Sequence, residues 1–111
     1  MAARARAHAS VDVFHAVADP TRRAILDRLR TGDAPVNDLA AGFHMTRPAI
    51  SKHLRVLREA DLVTERRDGR NRVYSLQPAP LRDVVAWIDA YRSFWESNLM
   101  NLKRHLEGKR P

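Results

Sequence analysis

Cysteine is absent from the 111 residues, and with it every disulfide framework, thiolate metal site and cysteine redox switch. Acidic side chains are scarce beside basic ones: 13 Asp and Glu stand against 20 Lys and Arg, a formal net charge of +7. Glycine occurs only four times, and nowhere as a Gly-rich phosphate loop. No nucleophile–base pair or close pair of carboxylates has supporting context, so neither catalysis nor a cofactor is expected. No apolar run approaches the roughly 20 residues that span a bilayer. The alanine-rich start lacks the apolar centre of a secretory signal, so a cytoplasmic protein with no membrane partner is expected. The 44% of apolar residues that remain suffice for one modest core. The expected organisation is a flexible arm over 1–9, one domain over 10–107 and a frayed end over 108–111.

The positive charge is unevenly placed. Residues 20–30 carry four Arg against Asp27, and 44–60 carry three Arg and Lys52 against Glu59. Residues 62–77 carry four Arg against Glu65 and Asp68, whereas 78–107 balance to zero. A basic excess gathered mid-chain suits a polyanion-binding surface. Charge alone leaves a merely solvated basic face nearly as good a reading.

Hydrophobic spacing supplies the elements. Val11, Phe14, Val17 and Ala18 suggest a short helix over 10–18. Asp19 as N-cap with Pro20 after it starts a second helix, whose buried stripe is Ile25, Leu26 and Leu29 and which ends near Thr31-Gly32. Beyond the Gly32–Pro35 break, Val36, Leu39, Ala40 and Phe43 suit a third helix, and Gly42 with His44-Met45 suits a tight turn into a fourth. There Thr46 is the N-cap, Pro48 is tolerated in the first turn, and Ile50, Leu54 and Leu57 fall on one stripe. Two helices joined so closely form a helix-turn-helix. From Leu62 the pattern becomes strand, turn, strand, with Gly69 and Asn71 as the residues that tolerate positive φ. Leu81, Val84, Val85, Ile88, Tyr91, Trp95, Leu99, Leu102 and Leu106 then keep helical spacing over some seven turns. The fold class expected is mainly α with a small β-hairpin wing.

This order gives each basic group a task. The fourth helix is placed to enter a DNA major groove and the hairpin tip to reach adjacent backbone or minor groove. The planar fork of arginine matches guanine O6 and N7, which makes Arg47 and Arg55 candidates for base contact. Ser51 and Lys52 are candidates for base or phosphate. Thr46 at the helix start, with Arg66, Arg67, Arg70, Asn71 and Arg72 in the wing, is assigned to the backbone, where contacts add affinity and salt dependence more than sequence choice.

The segments DPTRRAILDRL (Asp19–Leu29), VNDLA (Val36–Ala40), RPAISKHLRVLREADLV (Arg47–Val63) and GRNRVYSL (Gly69–Leu76), in that order and spacing, resemble the ArsR/SmtB family of bacterial winged-helix repressors. The resemblance implies a homodimer paired through its first and last helices, bound to an inverted-repeat operator that it leaves when an inducer arrives. Carried onto this chain, that pairing falls on Val11, Phe14, Leu81, Val84, Val85, Ile88, Tyr91, Trp95, Leu99 and Leu102. Metal sensors of the family carry a cysteine motif of the ELCVCDL type in the helix before the reader, or an Asp/His set in the last helix. Here the first stretch reads Val36-Asn37-Asp38-Leu39-Ala40-Ala41, and the last helix offers Asp83, Asp89 and His105. The chain therefore resembles the metal-independent branch, with no metal site assigned and no inducer specified.

Several residues have a plainer reading. His53 sits at the margin of the buried stripe, where a structural histidine is preferred to a ligand. His8 and His15 stand seven apart without carboxylate or thiol support. Arg22 and Arg23 suit a solvated face at least as well as phosphate. Trp87, Tyr91, Phe94 and Trp95 suit a subunit interface better than an effector pocket. Two alternatives stay open on the sequence: a protein-interaction module that docks through the aromatic last helix, and a metal sensor with an unusual His/Asp site.

Overall fold

Asp12 and Asp19 each start a helix by the same device, accepting the otherwise orphaned amide three residues on. The His15 amide donates to Asp12 at 2.8 Å and the Arg22 amide to Asp19 at 2.9 Å. The computed structural model describes residues 12–108. Val11, His8, the 1–9 arm and residues 109–111 lie outside them. The helices are α1 (Val13–Val17), α2 (Pro20–Arg30), α3 (Val36–Gly42), α4 (Arg47–Glu59) and α5 (Leu81–Gly108), and the strands are β1 (Ala34–Pro35), β2 (Val63–Asp68) and β3 (Asn71–Leu76). Packing divides the chain into two units that part between Leu81 and Arg82.

The first unit is built on the stripes that periodicity picks out. Ile25, Leu26 and Leu29 of α2, Val36, Leu39 and Ala40 of α3, and Ile50, Leu54 and Leu57 of α4 are all buried, joined by Leu62 and Val63. In α1 the expected face is wrong. Val13 and Ala16 are inside, whereas Phe14 is 41% exposed and Ala18 also faces out. Five residues are too few for periodicity to fix a phase.

Two turns set the direction of α4 and of the wing after it. After α3 the Met45 amide donates to Ala40 O and the His44 amide to Ala41 O, with His44 at φ 53°. After α4 the Leu62 amide donates to Leu57 O and the Asp61 amide to Arg58 O, with Asp61 at φ 60°. Both are Schellman turns, in which one left-handed residue lets the helix close on its own carbonyls. Here a histidine and an aspartate take the position glycine usually fills, so Gly42 is the last residue of α3 and not the turning residue.

The sheet has order β1-β3-β2, all antiparallel. Asp68 pairs with Asn71, leaving Gly69-Arg70 as a two-residue turn. Gly69 has φ 65° and Arg70 is not in the positive-φ region, the sign pattern of a type II′ hairpin, which requires glycine at its first corner. Asn71 is strand, not turn. The short β1, where the sequence suggested only a break, pairs Ala34 with Tyr74 and Pro35 with Val73. Proline is admitted because this is an edge strand.

The second unit is the helix α5, 28 residues long through Gly108, one residue beyond the end expected. None of its residues is buried. Val85, Trp87, Tyr91, Phe94, Trp95, Leu99, Met100, Leu102 and Leu106 are each about half exposed or more. Leu81, Val84 and Ile88 are half-buried. The rings of Trp87 and Tyr91, one turn apart, meet edge to face at 5.5 Å.

Candidate nucleic-acid interface

The exposed side of α4 is fixed by what its other side buries. With Ile50, Leu54 and Leu57 inside, Arg47, Ser51 and Arg55 follow one another at single-turn spacing on the outer side, Ser51 half-buried and both arginines exposed. Thr46 caps the helix, its Oγ1 accepting from the Ala49 amide at 3.2 Å. The hydroxyl proton of Thr46 stays available to an outside acceptor.

Arg47, Ser51 and Arg55 form one wall of a cleft of about 110 Å³. Arg72 and Tyr74 of β3, Glu65 of β2, Arg58 and Val36 complete its lining. The structure thus gathers three of the four reading-helix candidates and one wing arginine around a single concavity. Lys52, Arg66, Arg67, Arg70, Asn71 and Thr46 do not line it. Among the described residues Arg47, Lys52, Arg55, Arg67, Arg70 and Arg72 form no ion pair. Their charge is open to an outside anion.

The wing arginines divide by register. Arg67 pairs directly with Arg72, so both project from the strand face that also carries Glu65 and Tyr74. Like charges opposed across strands repel. Arg66 lies on the other face, pairing with Asp33 at 2.8 Å and donating to Ser75 Oγ at 2.9 Å. Its guanidinium, helped by Ser75, holds the Asp33 carboxyl below its usual range. Arg66, the residue expected at the DNA backbone, ties β2 to the segment before β1 while its side chain stays 54% exposed.

Sequence reading passed over a network that crosses the cleft floor. Arg58 Nη1 donates to Glu65 Oε2 at 2.8 Å, and the Tyr74 hydroxyl donates to the same oxygen at 2.7 Å. Burial and the neighbouring carboxylate push the Tyr74 phenol up to about 12. The signal was a lone acid at the start of a basic wing, with a tyrosine opposite it once the register is known.

Arg22 and Arg23 have another task than phosphate or solvent. Arg22 donates to Ala16 O at 2.8 Å and His15 O at 3.0 Å, and Arg23 to Val17 O at 2.8 Å. They reach the last carbonyls of α1, which lack following helical amides, although His15 O also accepts from the Ala18 amide at 3.2 Å. His53 Nδ1 approaches Asp19 at 3.9 Å. The Arg22 amide, with the Arg22 and His53 side chains adding to it, holds the Asp19 carboxyl low against the opposing effect of desolvation. Among the described residues no three His, Asp or Glu side chains cluster as a metal site would need, and no helix is long and apolar enough to cross a membrane.

Comparison with known proteins agrees with this geometry. Residues 19–65 match the model of the bacterial regulatory protein arsR family. The transcriptional repressor SdpR of Bacillus subtilis is 42% identical over 77 residues, 69% of this chain and 86% of that protein. The HTH-type transcriptional regulator Rv2034 of Mycobacterium tuberculosis is 44% identical over 78 residues, 70% of this chain and 73% of that one. Among solved structures, an ArsR-like transcriptional regulator from Rhodococcus sp. RHA1 superposes with a TM-score of 0.67 at 31% identity, over 88% of this chain and 90% of that one. A winged helix-turn-helix carrying an open basic cleft, and relatives that align over most of their own length, lead to one conclusion: the chain belongs to the ArsR family of bacterial regulatory proteins and is a DNA-binding transcriptional regulator.

Proposed function

We propose that this chain is a homodimeric repressor, without chemistry of its own, that reads an inverted-repeat operator with two α4 helices in successive major grooves about one helical turn apart. The observation that carries the reading is the row Arg47, Ser51, Arg55 on the open side of α4, facing Arg72 across one cleft. Arg47 and Arg55 take base edges, and Ser51 and Lys52 take base or phosphate. Thr46, Arg67, Arg70, Asn71 and Arg72 hold the backbone. Arg66, exposed but already paired with Asp33, contributes through that tie more than through phosphate.

The apolar stripe of α5 supports the second copy. Val85, Tyr91, Trp95, Leu99, Leu102 and Leu106 lie about half exposed or more along one helix, with Leu81, Val84 and Ile88 on the same stripe. A stripe this long left to water is a surface for association, and two-fold pairing of one helix with its copy covers it symmetrically.

Selection of bound duplexes from a random-sequence pool tests the whole reading. It should return a two-fold symmetric sequence that takes up two chains per duplex. Asymmetric sequences, one chain per duplex, or no enrichment over the starting pool would refute it.

A further inference from the structure

We infer that Glu65 is a positioning residue for DNA binding: a negative charge in the basic cleft that strengthens the grip on a polyanion by tying the wing to the reading helix. The inference rests on the reading of α4 and the wing as the DNA-binding surface.

Arg58 sits in the last turn of α4, Glu65 on β2, and Tyr74 opposite Glu65 on β3. Both hydrogen bonds end on Glu65 Oε2. The Tyr74 bond lies within the hairpin and fixes the carboxylate on it, while the Arg58 bond crosses from the hairpin to the helix. Glu65 is thus the joint between two bodies that must meet one duplex together. Its carboxylate side chain is 20% exposed, so the charge-assisted bonds are shielded from much of the competing water. Two residues further along each strand stand Arg67 and Arg72, on the strand face that carries Glu65 and Tyr74. The joint therefore sets where this arginine pair stands relative to Arg47 and Arg55.

Charge and positioning predict opposite signs. If Glu65 acted on DNA by its charge alone, removing it would raise the net charge by one and tighten binding. If it positions the wing, its removal loosens two phosphate contacts. At a salt slope of about 0.9 per contact, that lowers the slope of log K against log salt by about 1.8 for each bound chain, and binding falls by up to ~60-fold per bound chain at 0.1 M salt.

The test measures binding of the full chain and of Glu65→Gln and Glu65→Ala to the duplex selected above, across a salt series, with circular dichroism to confirm the fold. Weaker binding with a shallower slope is expected for Glu65→Ala. Glu65→Gln, which keeps an acceptor oxygen, should fall between it and the native chain. In an Arg67→Ala/Arg72→Ala background, Glu65→Ala should cost nothing more, because the contacts it positions are already gone. Tighter or unchanged binding by a folded Glu65→Ala, or a loss with unchanged slope, would overturn the inference while leaving the DNA-binding reading intact. A native chain that selects no duplex would sink that reading first.

Discussion

Replacing Trp95 by alanine probes the proposed dimer at its largest side chain. Trp95 stands mid-way along α5 and is 51% exposed. A tryptophan buries up to about 250 Å², so covering its open half with a second copy withdraws roughly 125 Å² from water. At about 25 cal/mol per Å² this contributes ~3 kcal/mol. Two-fold symmetry counts the site twice, giving ~6 kcal/mol per dimer and about four orders of magnitude in its Kd. Met100 supplies the control. It is 52% exposed but sits five residues on, about 140° around the helix from Trp95. Sedimentation velocity across a wide concentration range should show Trp95→Ala falling to monomers while Met100→Ala stays dimeric. A dimer unaffected by Trp95→Ala, or weakened equally by both changes, would refute the assignment of this stripe to the subunit interface.

Arg47→Ala and Arg55→Ala should each cost ~1–3 kcal/mol on the selected duplex and much less on random DNA; equal losses on both would make them phosphate contacts. Tyr74 gives a pH prediction. Its phenol, ordinarily near 10, is pushed up to about 12 in the fold, so the native state keeps the proton that the unfolded chain releases. Stability is then full below pH 10 and declines between 10 and about 12, by at most ~1.4 kcal/mol per unit. Urea unfolding on either side of pH 10 should show that decline in the native chain and a flatter profile in Tyr74→Phe; parallel profiles would mean that the Tyr74 phenol is not the group responsible. Asp61→Gly should raise the melting temperature, since an L-residue pays ~1–2 kcal/mol for the left-handed region against ~0.5–1 kcal/mol of lost chain entropy for glycine. A lower one would mean that the aspartate side chain has a role of its own.

Much of this molecule was legible from spacing because burial writes a period into sequence. Ile25, Leu26 and Leu29, then Ile50, Leu54 and Leu57, were identifiable as core for that reason, as were Asp19 and Thr46 as caps. The failures are equally physical. In α1, with one and a half turns, two phases fit equally well, and the sequence favoured Phe14 where Val13 is inside. The two-residue β1 has no period at all; it exists because β3 offers a free edge, which is a tertiary fact. The turn at His44-Met45 was legible but its left-handed corner was not, and the turn at Asp61 was hidden, because a search for such corners looks for glycine. Arg66 and Glu65 could not be told apart from the sequence. Adjacent strand residues face opposite ways, and only the register shows that one points to Asp33 and the other into the cleft. A charge count treats both as wing surface.

The opposed arginines at the wing have an outcome visible without any DNA. Mobile anions quiet the quarrel between Arg67 and Arg72 in the ligand-free protein, so added electrolyte should steady the hairpin. The same ions compete with a duplex for those guanidinium groups and loosen the complex. One pair of side chains thus gives the free and bound forms contrary appetites for salt.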